Sequence, residues 1–176
     1  NNIHYDETEK TILIVGEYSG SVGLGEKSLE SLGGNDIFLA NLNESYESLW
    51  TKEIGSLGRD EIKAVHYEGE DTFLAINLGG EGIIEDGKMS DSEGGGLILY
   101  RIDGEGNTAW NIKISGTIDT QWMHGGVRSG FIGLGYDKGS LYMMFKTFAE
   151  TKVLGYPLEK DKVYLCKFSD KGKNIW

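Results

Sequence analysis

One ten-residue stretch, DTQWMHGGVR at 119–128, gathers Asp119, Trp122, His124 and Arg128. An aromatic plane, an imidazole and a guanidinium in one loop are groups that hold a sugar or a peptide carboxylate, because the ring stacks and the cation pairs with the anion. A plainer use is also open: Trp122 can anchor the loop to the body of the fold. Arg59 and Asp60 fall in the corresponding connection earlier in the chain, and they complete the candidate ligand-binding set. Asp60 and Asp119 equally suit turn capping, in which a short carboxylate accepts backbone N–H groups.

A second stretch, GEGIIEDGKMSDSEGGG at 80–96, sets Glu81, Glu85, Asp86, Asp91 and Glu93 against Lys88. Hard oxygen ligands at this density point to calcium, with Asp86, Asp91 and Glu93 as the candidate metal residues. The spacing matches neither an EF-hand nor a nonapeptide calcium repeat, and a solvated acidic loop has the same composition. His4 and His66 occupy equivalent places, where they could line a channel. The third equivalent is Gly135, so no ring of three imidazoles exists. The sequence contains no nucleophile elbow, phosphate-cradling glycine loop, HExxH or CxxC. A non-catalytic protein is therefore expected, with no cofactor other than calcium. Asn43-Glu44-Ser45 is a glycosylation sequon of a kind that often arises by chance.

Composition narrows the partners. The chain has 176 residues, 27 of them Gly and one Pro, and a formal net charge of −11. That charge opposes binding to nucleic acid, where basic patches meet phosphate, and to an anionic membrane surface. No apolar run approaches the ~20 residues of a spanning helix. No signal peptide or lipid-anchor motif is visible, and the opening NNIHYDETEK reads as the interior of a domain. Cys166 is the single cysteine, so it forms no internal disulfide; in its apolar run it reads as a small buried hydrophobe.

These residues are carried on a repeat. IFLANLNESYESLW (37–50), LILYRIDGEGNTAW (97–110) and VYLCKFSDKGKNIW (163–176) align without a gap. The first three positions and the sixth are apolar, the fifth is Asn41, Arg101 or Lys167, and the last is Trp50, Trp110 or Trp176. A period near 60 residues with an aromatic landmark marks a repeat architecture. Upstream, Tyr5, Tyr67 and Tyr136 correspond as well. Each unit reads as four short strands, rich in Ile, Leu, Val, Phe and Tyr and bounded by Gly, Asp, Asn and Ser. The first strands are expected near 1–6, 62–67 and 131–136, and the second near 11–18, 72–78 and 141–148. The third follow near 36–43, 97–103 and 163–169, and the fourth near 48–54, 109–115 and 174–176. Runs such as ILIV, LILY and YMMF predict strands covered on both faces. Four-stranded sheets repeated in this way and buried on both faces are the blades of a β-propeller. The units are expected at about 1–57, 61–116 and 122–176, with Trp50 and Trp110 buried between sheets.

At this point the residues resemble a known family. GGNDIFLANLNESYESLWTKEIGSLGRDEI is similar to the bacterial seven-bladed β-propeller repeats, through Gly33, Gly34, Asp36, Ile37, Phe38, Ala40, Leu49, Trp50, Thr51, Lys52 and Gly55. RIDGEGNTAWNIKISG and SDKGKNIW carry the turn and the Trp again. The Trp hairpin also resembles the repeats of quinoprotein dehydrogenases and of the outer-membrane assembly propeller lipoprotein. The units here are longer, through an expanded second-to-third connection. The resemblance implies a secreted or surface-exposed bacterial protein and transfers no catalytic residue.

The expected function is that of a non-catalytic binding module. The first-to-second and third-to-fourth turns are short. The connections near 19–35, 79–96, 116–130 and 149–162 are long, and in a meander they emerge together, which makes that face the expected seat of a protein or glycan ligand. The alternatives are a structural segment of a larger surface protein and a quinoprotein-like enzyme. Three units are fewer than the four to eight blades of a closed ring. The remaining blades are thus expected either in the same chain or from a second copy.

Overall fold

The computed structural model describes residues 1–25, 27–80, 83–85, 88–91, 96–114, 122–123, 126–127, 130–147, 151–153 and 155–173. Among them there is no helix. The first repeat contributes β1 (Asn2–Asp6), β2 (Thr11–Tyr18), β3 (Ser21–Leu24), β4 (Lys27–Glu30), β5 (Asp36–Leu42) and β6 (Ser48–Gly55). The second contributes β7 (Glu61–Glu68), β8 (Asp71–Leu78), β9 (Ile83–Glu85), β10 (Lys88–Asp91), β11 (Gly96–Ile102) and β12 (Thr108–Ile114). Then come β13 (Trp122–Met123), β14 (Gly126–Val127), β15 (Phe131–Asp137), β16 (Ser140–Lys146), β17 (Thr151–Val153), β18 (Tyr156–Leu158) and β19 (Val163–Ser169).

The architecture is all-β and propeller-like. Each repeat is an antiparallel meander: β1-β2-β5-β6 in the first, β7-β8-β11-β12 in the second and β15-β16-β19 in the third. The fourth strand expected at 174–176 lies outside the described residues. Local chemistry sets the turns. Between β1 and β2, one Asp6 carboxylate oxygen accepts the Thr8 and Glu9 N–H groups at 2.8 and 3.0 Å, and Lys10 closes the turn at a φ of 55°.

Each long connection holds a ribbon that the sequence did not announce: β3–β4, β9–β10, β13–β14 and β17–β18. Two of them touch the first sheet. Ile54 and Gly55 of β6 pair with Glu85 and Ile84, so β9–β10 extends that sheet to six strands at the C-terminal end of β6. The β3–β4 ribbon reaches the same sheet, the Lys27 ammonium donating to Thr51 Oγ1 at 3.0 Å. Its tip, Gly25, lies beside Ser48 at the far end of β6.

The chain forms two compact units. The first comprises Asn1–Ile62, Leu78–Gly95 and Gly104–Asn107, and the second Lys63–Asn77, Gly96–Asp103 and Thr108–Trp176. In the first, Leu13, Val15, Ile37, Leu39 and Ile54 share one fully or nearly fully buried face. In the second, Phe73, Ala75, Leu97, Leu99 and Ile114 pack against Leu141, Met143, Phe145 and Phe168. Every residue from Thr72 to Leu78 is buried, as expected of a strand covered on both faces.

The repeated Trp makes the same contact twice. The Trp50 indole N–H donates to the Gly104 carbonyl at 2.8 Å, and the Trp110 N–H donates to the Asp170 carbonyl at 2.7 Å. Both acceptors are the eighth residue of the fourteen-residue segment in the repeat that follows. Two residues on, Gly106 and Gly172 sit at φ of 85° and 72°. A methyl group on either would come within 2.7 or 2.8 Å of the indole ring, so glycine is required there both by conformation and by close approach. Trp50 and Trp110 are half-buried rather than buried as the sequence suggests, because the N–H edge reaches a solvent-side turn. Arg101 braces the second contact, donating to the Asp170 carbonyl and to Asp71, each at 2.7 Å.

Candidate functional site

Of the residues singled out from the sequence, Arg59 and Asp60 lie where side chains are described, and the site is built from them. Three glycine-bearing turns meet there: Gly33-Gly34 before β5, Ser56–Asp60 after β6, and Gly79-Gly80 after β8. Their backbones touch. Gly34 N–H donates to the Gly58 carbonyl at 2.6 Å and Asp60 N–H to the Asn35 carbonyl at 2.8 Å. A methyl group on Gly58 would run into the Gly79–Gly80 peptide.

Two carboxylates hold these turns together. Asp60 is fully buried. Its Oδ2 accepts Ser56 N–H at 2.6 Å, and its Oδ1 accepts the Ser56 hydroxyl at 2.6 Å and Gly79 N–H at 2.9 Å. Ser56 Oγ accepts Gly80 N–H and Gly58 N–H in turn, at 3.0 and 3.1 Å. Asp36, also fully buried, takes Leu32 N–H on Oδ2 at 2.6 Å. Its Oδ1 is buried against Gly55, and the Asp60 carboxylate is close enough to act on its charge.

Burial raises both carboxyl pKa values, and for Asp36 the Asp60 charge adds to the effect, pushing it up to about 6. Below about pH 6 Asp36 therefore carries a proton in the folded chain. Two neighbouring carboxyls of this kind are chemically an acid–base dyad. Here, however, both groups are shut off from solvent and Asp60 has both oxygens engaged by the chain's own donors. The arrangement is a latch between turns. Asp60 thus acts as the turn cap that its spacing allows, buried with both oxygens engaged by the chain's own donors. Arg59 is exposed beside it, 3.7 Å from Glu61.

The other candidates distribute as follows. Asp119, His124, Arg128, Asp86 and Glu93 lie outside the described residues. Trp122 opens β13 and Asp91 closes β10, and only their backbones are described. Among the described residues no group of three or more His, Cys, Asp or Glu is placed to hold a metal ion. Glu85, from the acidic stretch, is engaged elsewhere: its carboxylate lies 2.6 Å from the ammonium of buried Lys52. Glu85→Gln is expected to lower stability by about 1–2 kcal/mol, less than for a wholly buried pair because Glu85 keeps some solvent; urea unfolding at pH 7 measures it. His66 stacks on Tyr136, ring centroids 5.8 Å apart, a packing role. Burial pushes the Cys166 thiol pKa up, which makes it a poor nucleophile.

Sequence reasoning missed Asp36 and Lys52 as determinants. Both sit in the segment resembling the propeller repeats, but their partners, Asp60 and Glu85, come from loops 24 and 33 residues away. No family model and no curated protein sequence matches the chain.

Proposed function

We propose that this chain is a non-catalytic, propeller-type binding module whose long connections present a protein or glycan site, on a bacterial protein exposed at the cell surface or secreted. The observation that carries the reading is the latch. It clamps three connections to one another through buried carboxylates and touching backbones, giving the long loops a rigid base of the kind on which binding loops are displayed. The ligand-binding residues are then Trp122, His124, Arg128 and Asp119, with Arg59 exposed on the latch. Calcium at Asp86, Asp91 and Glu93 belongs to the same proposal.

The Lys27–Thr51 contact ties the 19–35 connection to the first sheet, so in this reading the ligand is held by 79–96, 116–130 and 149–162, with the aromatic and cationic groups of 116–130 at its centre. Trp122→Ala and Arg128→Ala are each expected to weaken binding about tenfold while moving the melting temperature by less than about 2 °C, as for surface positions. A glycan array and a pull-down, each with calcium and with chelator, identify the ligand and check the loss. Unchanged binding in both variants, or a larger loss from Asn107→Ala in a short turn, would refute the assignment. A second reading, a structural segment of a larger assembly, is favoured by the apolar face that the third sheet leaves open.

A further inference from the structure

The repeated segment allows a position-by-position comparison of sheet faces. Its first and third residues are Ile37 and Leu39 in the first repeat and Leu97 and Leu99 in the second, all fully buried. In the third repeat they are Val163 and Leu165, 57% and 50% exposed. The neighbouring strand shows the same contrast. Val15, paired with Leu39, is fully buried, whereas Met144, paired with Leu165, is 38% exposed. Gly133 and Gly135, in register with Met144 and Tyr142, leave the surface flat, with open space where a side chain would stand. In the second repeat, the face bearing Leu97 and Leu99 is closed by Leu141, Met143, Phe145 and Phe168 of the next sheet.

We propose that the open face of the third sheet docks a further blade whose third-to-fourth turn carries glycine at the tenth segment position, and that it does not dock the first sheet of a second copy. The two contacts made within this chain define the partner. In each, the indole of one repeat rests on a left-handed glycine of the next, Trp50 on Gly106 and Trp110 on Gly172. The tenth position of the first repeat is Tyr46. It has the same left-handed backbone, with a φ of 63°, but its Cβ stands where an indole would lie and its ring is exposed.

The first sheet carries a second obstacle. At its β6 end the β3–β4 ribbon reaches the face that holds Ile14, Ala40 and Thr51, through Lys27 on Thr51. A shallow groove of about 450 Å³, lined by Gly25, Lys27 and Tyr46–Leu49, separates the ribbon from the turn. A copy docking head to tail would have to displace both ribbon and tyrosine. Neither obstacle exists on a blade with a glycine turn. This inference does not rest on the ligand-binding reading.

The test appends a second copy of residues 117–176 after Trp176, since that repeat carries both the Gly172 turn and the near face already known to fit. Amide hydrogen exchange is followed in β16 and β19 of the original third repeat. The expected result is at least tenfold slower exchange at Met144 and Leu165, and little slowing when the appended copy carries Gly172→Tyr. Unchanged exchange, or equal protection by the tyrosine version, would overturn the proposal. The unextended chain gives an independent check by light scattering: a dimer dissolved both by Ile3→Lys and by Leu165→Lys would make a second copy the occupant, and overturn it too. Gly106→Tyr in the unextended chain covers the case in which the extended protein does not fold. It is expected to red-shift Trp emission and lower the melting temperature, and no change in either would remove the requirement for glycine.

Discussion

Trp110→Ala is expected to lower the unfolding free energy of its compact unit by about 3 kcal/mol, the low end of the range for large aromatic truncations, because the side chain is half-buried. Three losses combine. The ring leaves Phe73, whose centroid is 6.1 Å away, and exposes Gly172 beneath it. The Asp170 carbonyl loses the indole N–H. Arg101 loses the wall that holds its guanidinium on the same carbonyl. Trp110→Phe separates these contributions: it keeps most of the apolar area and gives up the hydrogen bond, a loss of about 1 kcal/mol. Urea unfolding followed by tryptophan emission reads both. A cost below about 1 kcal/mol for the alanine variant would mean that the repeated Trp is a surface ornament and that the repeat alignment has no energetic content.

That alignment was legible because propeller-like packing imposes the same demands on every unit. Positions that meet a neighbouring sheet must be apolar, the fourth strand must open with a side chain long enough to reach the next turn, and the turn must admit a left-handed residue. Among the described residues, the strand positions of the repeats follow from those demands, as do the short turns. The ribbons β3–β4, β9–β10, β13–β14 and β17–β18 were not legible. Strands of two to four residues carry too few alternations to stand out, and SVGL and KSLE acquire their conformation from pairing with each other. The depth of Trp50 and Trp110 was misjudged for a related reason: an aromatic landmark signals contact, and only the acceptor's position, at a turn near solvent, decides how much of the ring is covered.

The candidate site divides along the same line. Asp60 stood out as a carboxylate in a Gly-rich connection, with two readings open, a turn cap or a ligand contact. What decides between them is Asp36, which in sequence looks like an ordinary strand opener. Only folding brings the two carboxyls together, and burial then raises the pKa of both. The cluster at 119–128 keeps its chemistry as a hypothesis, since its side chains lie outside the described residues.

Asp60→Ala is expected to cost about 3 kcal/mol, because it strands the Ser56 N–H, the Ser56 hydroxyl and the Gly79 N–H in a buried turn. Asp36→Asn should act in the opposite sense at neutral pH. The folded-state pKa of Asp36 lies above its ordinary value of 3.8, at about 6. The folded protein therefore holds this proton more tightly than the unfolded chain, and the associated stability is fully present below pH 3.8 and lost as pH rises through 6. At pH 7.5 the pair is two neighbouring buried carboxylates. An asparagine amide keeps a donor toward Asp60 and removes the charge. The variant should be more stable than the parent at pH 7.5 by on the order of 2 kcal/mol, at 1.36 kcal/mol per pKa unit, with the difference shrinking toward zero near pH 4. Urea midpoints at pH 4, 5, 6 and 7.5 measure the curve. A parent whose stability rises from pH 5 to 7.5 while the asparagine variant tracks it in parallel would show that Asp36 holds no proton, and that the two carboxyls are kept apart by donors the geometry does not reveal.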